Sequence, residues 1–176
     1  SRGLVGSEMC IRDRSDRASG GEAEEGIDES AMGRIYAWEA AIKMALDNPL
    51  TGVGLDNFYA NYFFYSSHWD GLNHAVHSTW FGVLAETGFI GFIIFIGLII
   101  SLLKTSRVTL AQLQSAGPNV PPELNAIAYA VYSGLIGTIV SGTFLTQGFI
   151  WPLYIHAALT ICISNVSQTA CHNEKI

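Results

Sequence analysis

The sequence predicts an all-α polytopic membrane protein fragment with three transmembrane helices and an extracytoplasmic loop that carries an amphipathic helix. The composition is hydrophobic, with 49% hydrophobic and only 14% charged residues, and most charges lie in the first half of the 176-residue chain. This asymmetry is typical of a membrane protein with a soluble portion. Uncharged residues continue from Thr87 to Leu103. At 1.5 Å per residue such a helix spans roughly 25 Å, close to a hydrocarbon core of about 30 Å.

The charge balance and the cysteines restrict the function further. A net charge of −6 and the lack of a basic run argue against nucleic acid as a partner. Cys10, Cys162 and Cys171 form no motif, and Cys162 lies in an apolar run. We therefore expect no disulfide framework.

The beginning of the chain is not expected to carry function. The run LVGSEMCIRDR resembles a translated sequencing adapter, so residues 1–14 are predicted to be a non-native segment. Residues 15–30 are rich in Ser, Gly, Glu and Asp and are predicted to form a flexible loop. Because a membrane protein that starts in a polar loop is unusual, we expect the sequence to be a fragment that lacks earlier helices.

The loop over residues 31–78 is predicted to begin with an amphipathic helix over residues 31–47. Its apolar residues recur at helical spacing, namely Ile35, Trp38, Ile42 and Ala45 or Leu46. Its charged residues, Glu39, Lys43 and Asp47, are four apart on the opposite face. Pro49 ends the helix because proline has no N–H to donate. We expect this helix to lie on the membrane or on the missing helices.

The rest of the loop contains a turn and an aromatic run. Pro49, Gly52 and Gly54 form a turn in which the backbone can come close to another group. The GxG is a weak nucleotide signal because the third glycine is missing. The aromatic run over residues 58–69 fits a short helix at the membrane surface, and aromatic faces also suit sugar binding. Packing against the membrane surface is the favoured interpretation.

Three spans are predicted, over residues 79–103, 125–147 and 149–165. The second carries Gly134, Thr138 and Gly142 four residues apart, which permits close helix packing. Residues 104–124 form a polar connection that contains Lys104 and Arg107. The positive-inside rule places this connection and the tail over residues 166–176 in the cytoplasm, and the loop over residues 15–78 outside the membrane.

Three residues are candidates for the chemistry of a site at the membrane surface. Arg34 carries a fork of donors that suits a phosphate or diphosphate, although a solvated or Trp38-stacked arginine is the simpler alternative. Lys43 adds a second cation or pairs with Glu39. His77 stands where the loop enters the membrane, and histidine is the side chain that most readily exchanges a proton near neutral pH. A plain helix-start residue is the alternative for His77.

Other polar residues are weaker candidates. His74, His77 and His68 permit a zinc interpretation, but no cysteine or zincin glutamate supports it, and we predict no metal. Glu86 lies inside the span, where a carboxylate is costly and usually has a partner or a function, or else anchors the helix near the interface. His156 is predicted to be a packing residue of the last helix; an ion relay with Glu86 would instead indicate a transporter.

These residues together resemble the O-antigen ligase and polymerase family of bacterial envelope glycan assembly. The shared pattern is an Arg and a Trp on a loop helix, a P-x-x-G-x-G turn, and a His before a helix with E-x-G-x-x-G. The corresponding residues are Arg34, Trp38, Pro49, Gly52, Gly54, His77, Glu86, Gly88 and Gly91. The DESAMGR and HAVHS segments are most similar to O-glycosylation ligases associated with exosortase systems. The resemblance covers about residues 28–165.

The resemblance implies a metal-independent, inverting glycosyltransferase without a cofactor in the bacterial cytoplasmic membrane. The donor would be a glycan on undecaprenyl diphosphate, and the acceptor a hydroxyl of lipid A–core, another glycan or a protein. His77 would be the base and Arg34 would hold the diphosphate, with substrate binding by Trp38, Lys43, Gly52, Gly54, His74 and Glu86. The family is expected to use a further arginine, which would lie upstream. A polymerase that joins repeat units shares these motifs.

Overall fold

The computed structural model describes residues 21–116 and 120–173, and within them it contains five α-helices and no strand. The helices are α1 (Gly21–Asp47), α2 (Phe58–Tyr65), α3 (Thr79–Ser115), α4 (Pro122–Gly142) and α5 (Trp151–Asn173). The all-α prediction is confirmed for this part of the chain. The predicted non-native segment over residues 1–14 lies outside the described residues.

The first helix is longer than predicted. It begins at Gly21, so the prediction of a flexible loop is wrong for residues 21–30, while residues 15–20 lie outside the described part. The added segment is GEAEEGIDES, whose acidic residues are concentrated near the helix start.

The predicted apolar stripe of α1 is not its buried face. Ile35, Ile42 and Leu46 are exposed, and Trp38 is half-buried. The fully buried residues are instead Ala37, Ala40, Ala41, Met44 and Ala45. Small side chains let the α1 backbone come close to α3, the helix against which it packs most extensively. Close backbone approach therefore outweighed the burial of the larger side chains.

The loop has its own small core beneath α2. Phe58 and Tyr62 are buried against the alanine face of α1, together with Val76 and Ala85. The expected short helix in the aromatic run is present over Phe58–Tyr65 and ends before residue 69. This core fixes the polypeptide between α1 and the start of α3.

The helix α3 continues past its predicted end at residue 103 to Ser115, so the predicted connection is helical over residues 104–115. Its second half buries Ser106, Thr109, Leu110 and Leu113. Leu110 and Leu113 pack with Val120, just before α4, and with Ala128 of α4. The apolar residues that lie between the charged ones therefore continue the helix. The Arg107 side chain donates a hydrogen bond to the Tyr132 hydroxyl of α4 (3.0 Å).

The small residues of α4 pack as predicted. A Cβ on Gly134 would lie 2.7 Å from His156 Nε2, and one on Gly142 would lie 3.2 Å from Thr79 Oγ1. His156 also hydrogen-bonds through Nδ1 with the carbonyl of Pro152 (2.8 Å), which fits a packing histidine. Each glycine therefore gives room to a polar side chain of a neighbouring helix.

The ends of the last two helices differ from the predicted bounds. Helix α4 ends at Gly142, not at residue 147, because Thr79 binds the following segment: its hydroxyl donates to Leu145 O (2.7 Å) and accepts from Gln147 N (2.8 Å). Helix α5 runs over Trp151–Asn173, past the predicted end at residue 165. Within the described residues, α3 and α4 are long and apolar enough to cross a membrane, and α5 is not among them. Its Ser, Thr, Asn and Gln residues lower its hydropathy.

Candidate active site

The turn after α1 docks into a break in α3. At Gly88 the backbone leaves the helical conformation (φ 66°, ψ −169°). The turn replaces the interrupted helical hydrogen bonds: Val53 N donates to Ala85 O (2.9 Å), Gly54 N donates to Glu86 O (3.1 Å), and Phe89 N donates to Pro49 O (2.9 Å). Unpaired backbone groups are costly in an apolar environment, so the turn stabilises the break.

Glycines on both sides make this docking possible. Gly52 has φ +62°, and a Cβ there would lie 2.6 Å from Thr87 N. A Cβ on Gly88, which also has positive φ, would lie 2.6 Å from Pro49 O and 2.9 Å from Gly52 N. The two glycine motifs noted in the sequence are thus the two halves of one contact. Substrate binding by Gly52 and Gly54 stays a prediction, and the structure shows a packing role for both.

Glu86 lies beside this contact and faces a cavity. Its Oε1 accepts a hydrogen bond from Phe58 N at the start of α2 (3.4 Å), where a carboxylate is favourable. The cavity measures about 320 Å³ and is bordered by Asp56, Thr79 and Tyr154 as well as Glu86. It runs along one face of α3, from Thr79 near the helix start down to Glu86. Glu86 therefore positions the loop and also presents a carboxylate to an open volume.

His77 is exposed and lies in a backbone conformation that non-glycine residues rarely adopt. Its φ is +48°, and it stands between Val76 and Ser78, which are both buried. Such left-handed residues persist where the surroundings hold them, and they occur often at functional sites. The buried neighbours fix the backbone on each side, so the imidazole is directed away from the core.

Trp38 holds the segment that carries His77. The indole N–H of Trp38 donates a hydrogen bond to the carbonyl of Val76 (3.0 Å), and the ring stacks on Phe81 (centroid distance 5.0 Å). Trp38 therefore connects α1 to the residue before His77 and to the first turn of α3. Its assignment to substrate binding stays a prediction, since its N–H is used within the protein.

Arg34 lies on α1 one helical turn before Trp38 and is exposed. Residues four apart share a helix face, so Arg34 and Trp38 point to the same side of α1. No hydrogen bond or ion pair joins Arg34 to another side chain within residues 31–116 and 120–170. Arg34 therefore presents a cation on the face of α1 that also carries Trp38.

The other candidate residues have protein partners. Lys43 forms an ion pair with Glu39 (2.7 Å) and a hydrogen bond with the Ser67 hydroxyl, and the bond from Lys43 lowers the pKa of the Glu39 carboxyl. The expected pairing of Lys43 with Glu39 is thus present. Both groups are largely exposed, so the pair contributes little to stability.

The three histidines of the loop do not converge. His74 Nε2 contacts Asp70 Oδ2 (2.7 Å), and His68 stacks on Tyr36 (3.8 Å). The N–H of Leu72 and then the His74 ring lower the pKa of the Asp70 carboxyl. Among the described residues no three His, Cys, Asp or Glu side chains are placed to hold a metal ion. Asp70 stands among these histidines in the sequence, and the structure pairs it with His74.

The structure thus has an exposed imidazole just before α3 and an exposed guanidinium on α1, and Trp38 links α1 to the residue before His77. An imidazole can accept a proton, and a guanidinium can hold an anionic leaving group. The sequence predicted both residues. It did not predict that Trp38 and the Gly52–Gly88 contact would fix the backbone around them.

Comparison with known proteins identifies the family. No curated protein and no solved structure matches the chain. The O-Antigen ligase family matches residues 6–96, slightly more than half of the 176 residues. The matched region contains Arg34, Trp38, the docked turn, His77 and Glu86, which are the residues that build the candidate site. The chain therefore belongs to the O-antigen ligase family.

Proposed function

We propose that the chain forms part of a membrane glycosyltransferase of the ligase type, with the site at His77 and Arg34. The family membership supports a glycan-transfer function in a membrane. The observation that carries the residue assignment is the left-handed conformation of His77, next to the Val76 carbonyl that Trp38 binds. A held, exposed base at the membrane surface suits a reaction between a lipid-linked donor and an acceptor hydroxyl.

The proposed reaction is an inverting substitution at the anomeric carbon of the donor glycan. The acceptor oxygen forms a bond to this carbon, while the bond to undecaprenyl diphosphate breaks on the opposite face. His77 takes the proton of the acceptor hydroxyl, and Arg34 stabilises the negative charge on the departing diphosphate. Charge is supplied by the guanidinium, so the step needs neither a metal nor a cofactor.

The remaining assignments follow from the position of the site. We place the loop over residues 15–78 on the periplasmic side of the bacterial inner membrane, since Lys104 and Arg107 mark the cytoplasmic end of the span. The cavity beside Glu86 is lined by neither His77 nor Arg34, so it would hold a part of the substrate away from the reacting atoms. The acceptor is a hydroxyl of lipid A–core, of a glycan or of a protein, and the exosortase-associated subtype is the narrower assignment.

The function is tested with the full-length natural protein in liposomes, supplied with a lipid-linked glycan donor and a candidate acceptor. We expect transfer without any ion gradient and in the presence of a strong chelator. Transfer that requires a gradient would favour the transporter alternative based on Glu86 and His156, and transfer lost to the chelator would favour the zinc alternative. A product in which repeat units are joined to each other would identify the polymerase instead.

A second prediction concerns Trp38 as a positioning residue. Trp38→Phe keeps the ring on Phe81 but removes the N–H that binds the Val76 carbonyl. We expect kcat to fall about fivefold with little change in the donor KM, because the loss of one hydrogen bond of about 1 kcal/mol loosens the His77 backbone. Steady-state kinetics measure this split.

The matched control is Trp69→Phe, which changes a partly exposed tryptophan outside the site. We expect this variant to retain the wild-type kcat. A Trp38→Phe enzyme with wild-type kcat, or one changed only in KM, would show that Trp38 does not position the base.

A further inference from the structure

The exposed apolar surface of α3 begins at one level of the helix. Before Gly88, helix α3 is largely covered, and Thr79, Gly82, Val83 and Ala85 are buried. Directly after Gly88 the large apolar side chains become exposed, and Ile93 and Ile94 reach 69% and 68% exposure. The surface of α3 that would contact lipid therefore starts at Gly88, where the turn after α1 packs against the helix.

The length of α3 after Gly88 is consistent with a membrane boundary at Gly88. Sixteen residues separate Gly88 from Lys104, the first charged residue of the span's far end, which corresponds to about 24 Å of helix. This length is slightly less than a hydrocarbon core of about 30 Å, and the Lys104 side chain can reach outward to the opposite headgroups. Gly88 thus lies near the outer boundary of the hydrocarbon layer.

The docked turn and α2 present apolar side chains near this boundary. Leu50 and Leu55 flank the residues that bind Ala85 and Glu86, and both are more than 60% exposed. Helix α2 starts at the Glu86 carboxylate and contains no charged residue. Its exposed side chains include Tyr59, Phe63 and Phe64, with Phe64 at 74% exposure.

We propose that the turn at residues 49–55 and the exposed face of α2 insert into the outer lipid headgroup layer and anchor the loop to the bilayer surface. The partner is bilayer lipid, because the apolar surface is continuous with the lipid-facing surface of α3 and lies at the depth of the membrane boundary. Aromatic side chains favour this interfacial region, and the loop tip supplies leucines that extend below it.

The anchor has a consequence for the candidate site. The segment from Thr79 to Gly88 is mostly helical and lifts the start of α3 by about 14 Å above the boundary. Two contacts on α3, one at Gly88 and one through Trp38, then fix His77 at a set height over the lipid. The anchor itself does not depend on the proposed glycan transfer, and its test needs no activity.

The test uses nitroxide spin labels on single cysteines in a background with Cys10, Cys162 and Cys171 replaced by serine. Labels are placed at Leu50→Cys and Phe64→Cys in the chain reconstituted into nanodiscs of phosphatidylethanolamine and phosphatidylglycerol. Leu72→Cys is the matched control, because Leu72 is as exposed as Leu50 (66% each) but lies in the segment before the start of α3. Collision with oxygen reports lipid, and collision with a nickel chelate reports water.

For each label we compare the ratio of its collision rate with oxygen to its collision rate with the nickel chelate. We expect this ratio to be at least about threefold higher at residues 50 and 64 than at residue 72. The proposal is overturned if residue 50 reports water as residue 72 does. It is also overturned if the label at residue 50 is shielded from both reagents, since protein and not lipid would then cover the turn. Both readings are independent of whether the protein transfers glycans.

Discussion

Replacing His77 with asparagine is expected to lower the rate of glycan transfer by about 10²–10⁴-fold, the range that a positioned general base contributes. Asparagine tolerates the left-handed conformation better than most residues, so this variant removes the imidazole while keeping the backbone at φ +48°. The loss should appear in kcat, because the proton is transferred only as the acceptor attacks. Transfer in proteoliposomes from a lipid-linked donor measures it.

The control for this variant is His68→Asn. His68 is an exposed histidine of the same loop whose ring stacks on Tyr36 of α1. We expect normal transfer from this variant. His77→Asn with wild-type kcat would remove His77 from the base role, whatever the effect at Arg34.

The companion variant Arg34→Lys keeps a cation and removes the planar fork of donors. If Arg34 grips a diphosphate with two parallel hydrogen bonds, lysine does not replace it, and transfer should fall at least tenfold. Retention of full activity by Arg34→Lys would show that charge alone suffices.

The largest expected effect on stability comes from Gly52→Ala and Gly88→Ala. Each adds a Cβ within 3 Å of backbone atoms across the contact, at a residue with positive φ. Backbone cannot move aside as a side chain does, and the conformation itself costs about 1–3 kcal/mol for a non-glycine residue. We expect each variant to lose about 3 kcal/mol, which corresponds to a thermal midpoint lower by roughly 6–12 °C. Thermal unfolding in detergent measures this loss.

Gly97→Ala is the matched control, because it lies in the same helix and a Cβ there would meet nothing within 4 Å. Its midpoint should stay the same or rise, since alanine favours the helix. Equal midpoints for the alanine variants at Gly88 and Gly97 would show that the turn does not depend on the docking geometry. The double variant Gly52→Ala/Gly88→Ala should lose less than the sum of the two, because both act on one contact.

Much of the helical framework was readable from the sequence because its signals are local. The uncharged run from Thr87 to Leu103 indicated the span, and the small residues of α4 indicated close packing. Helix ends were less readable. Whether residues 104–115 continue α3 depends on what Leu110 and Leu113 pack against, which is a tertiary contact.

The face of α1 that packs against α3 was not readable from the sequence for a similar reason. A periodic run of large apolar residues usually marks the core side of a helix, and Ile35, Ile42 and Leu46 fit that pattern. The structure buries the alanine face, together with Met44, and leaves these three side chains exposed. The helix separation is set by both partners, so one helix alone does not reveal it.

The sequence by itself determined the helical class, the apolar span, the family resemblance and the identity of the candidate residues His77, Arg34 and Glu86. Only the tertiary structure decided what the glycine motifs do and how His77 is held. Gly52 and Gly88 are 36 residues apart, and Trp38 and Val76 are 38 apart, so no local periodicity connects them. Their pairing follows from backbone hydrogen bonds and close contacts, which exist only once the turn has folded against the break in α3.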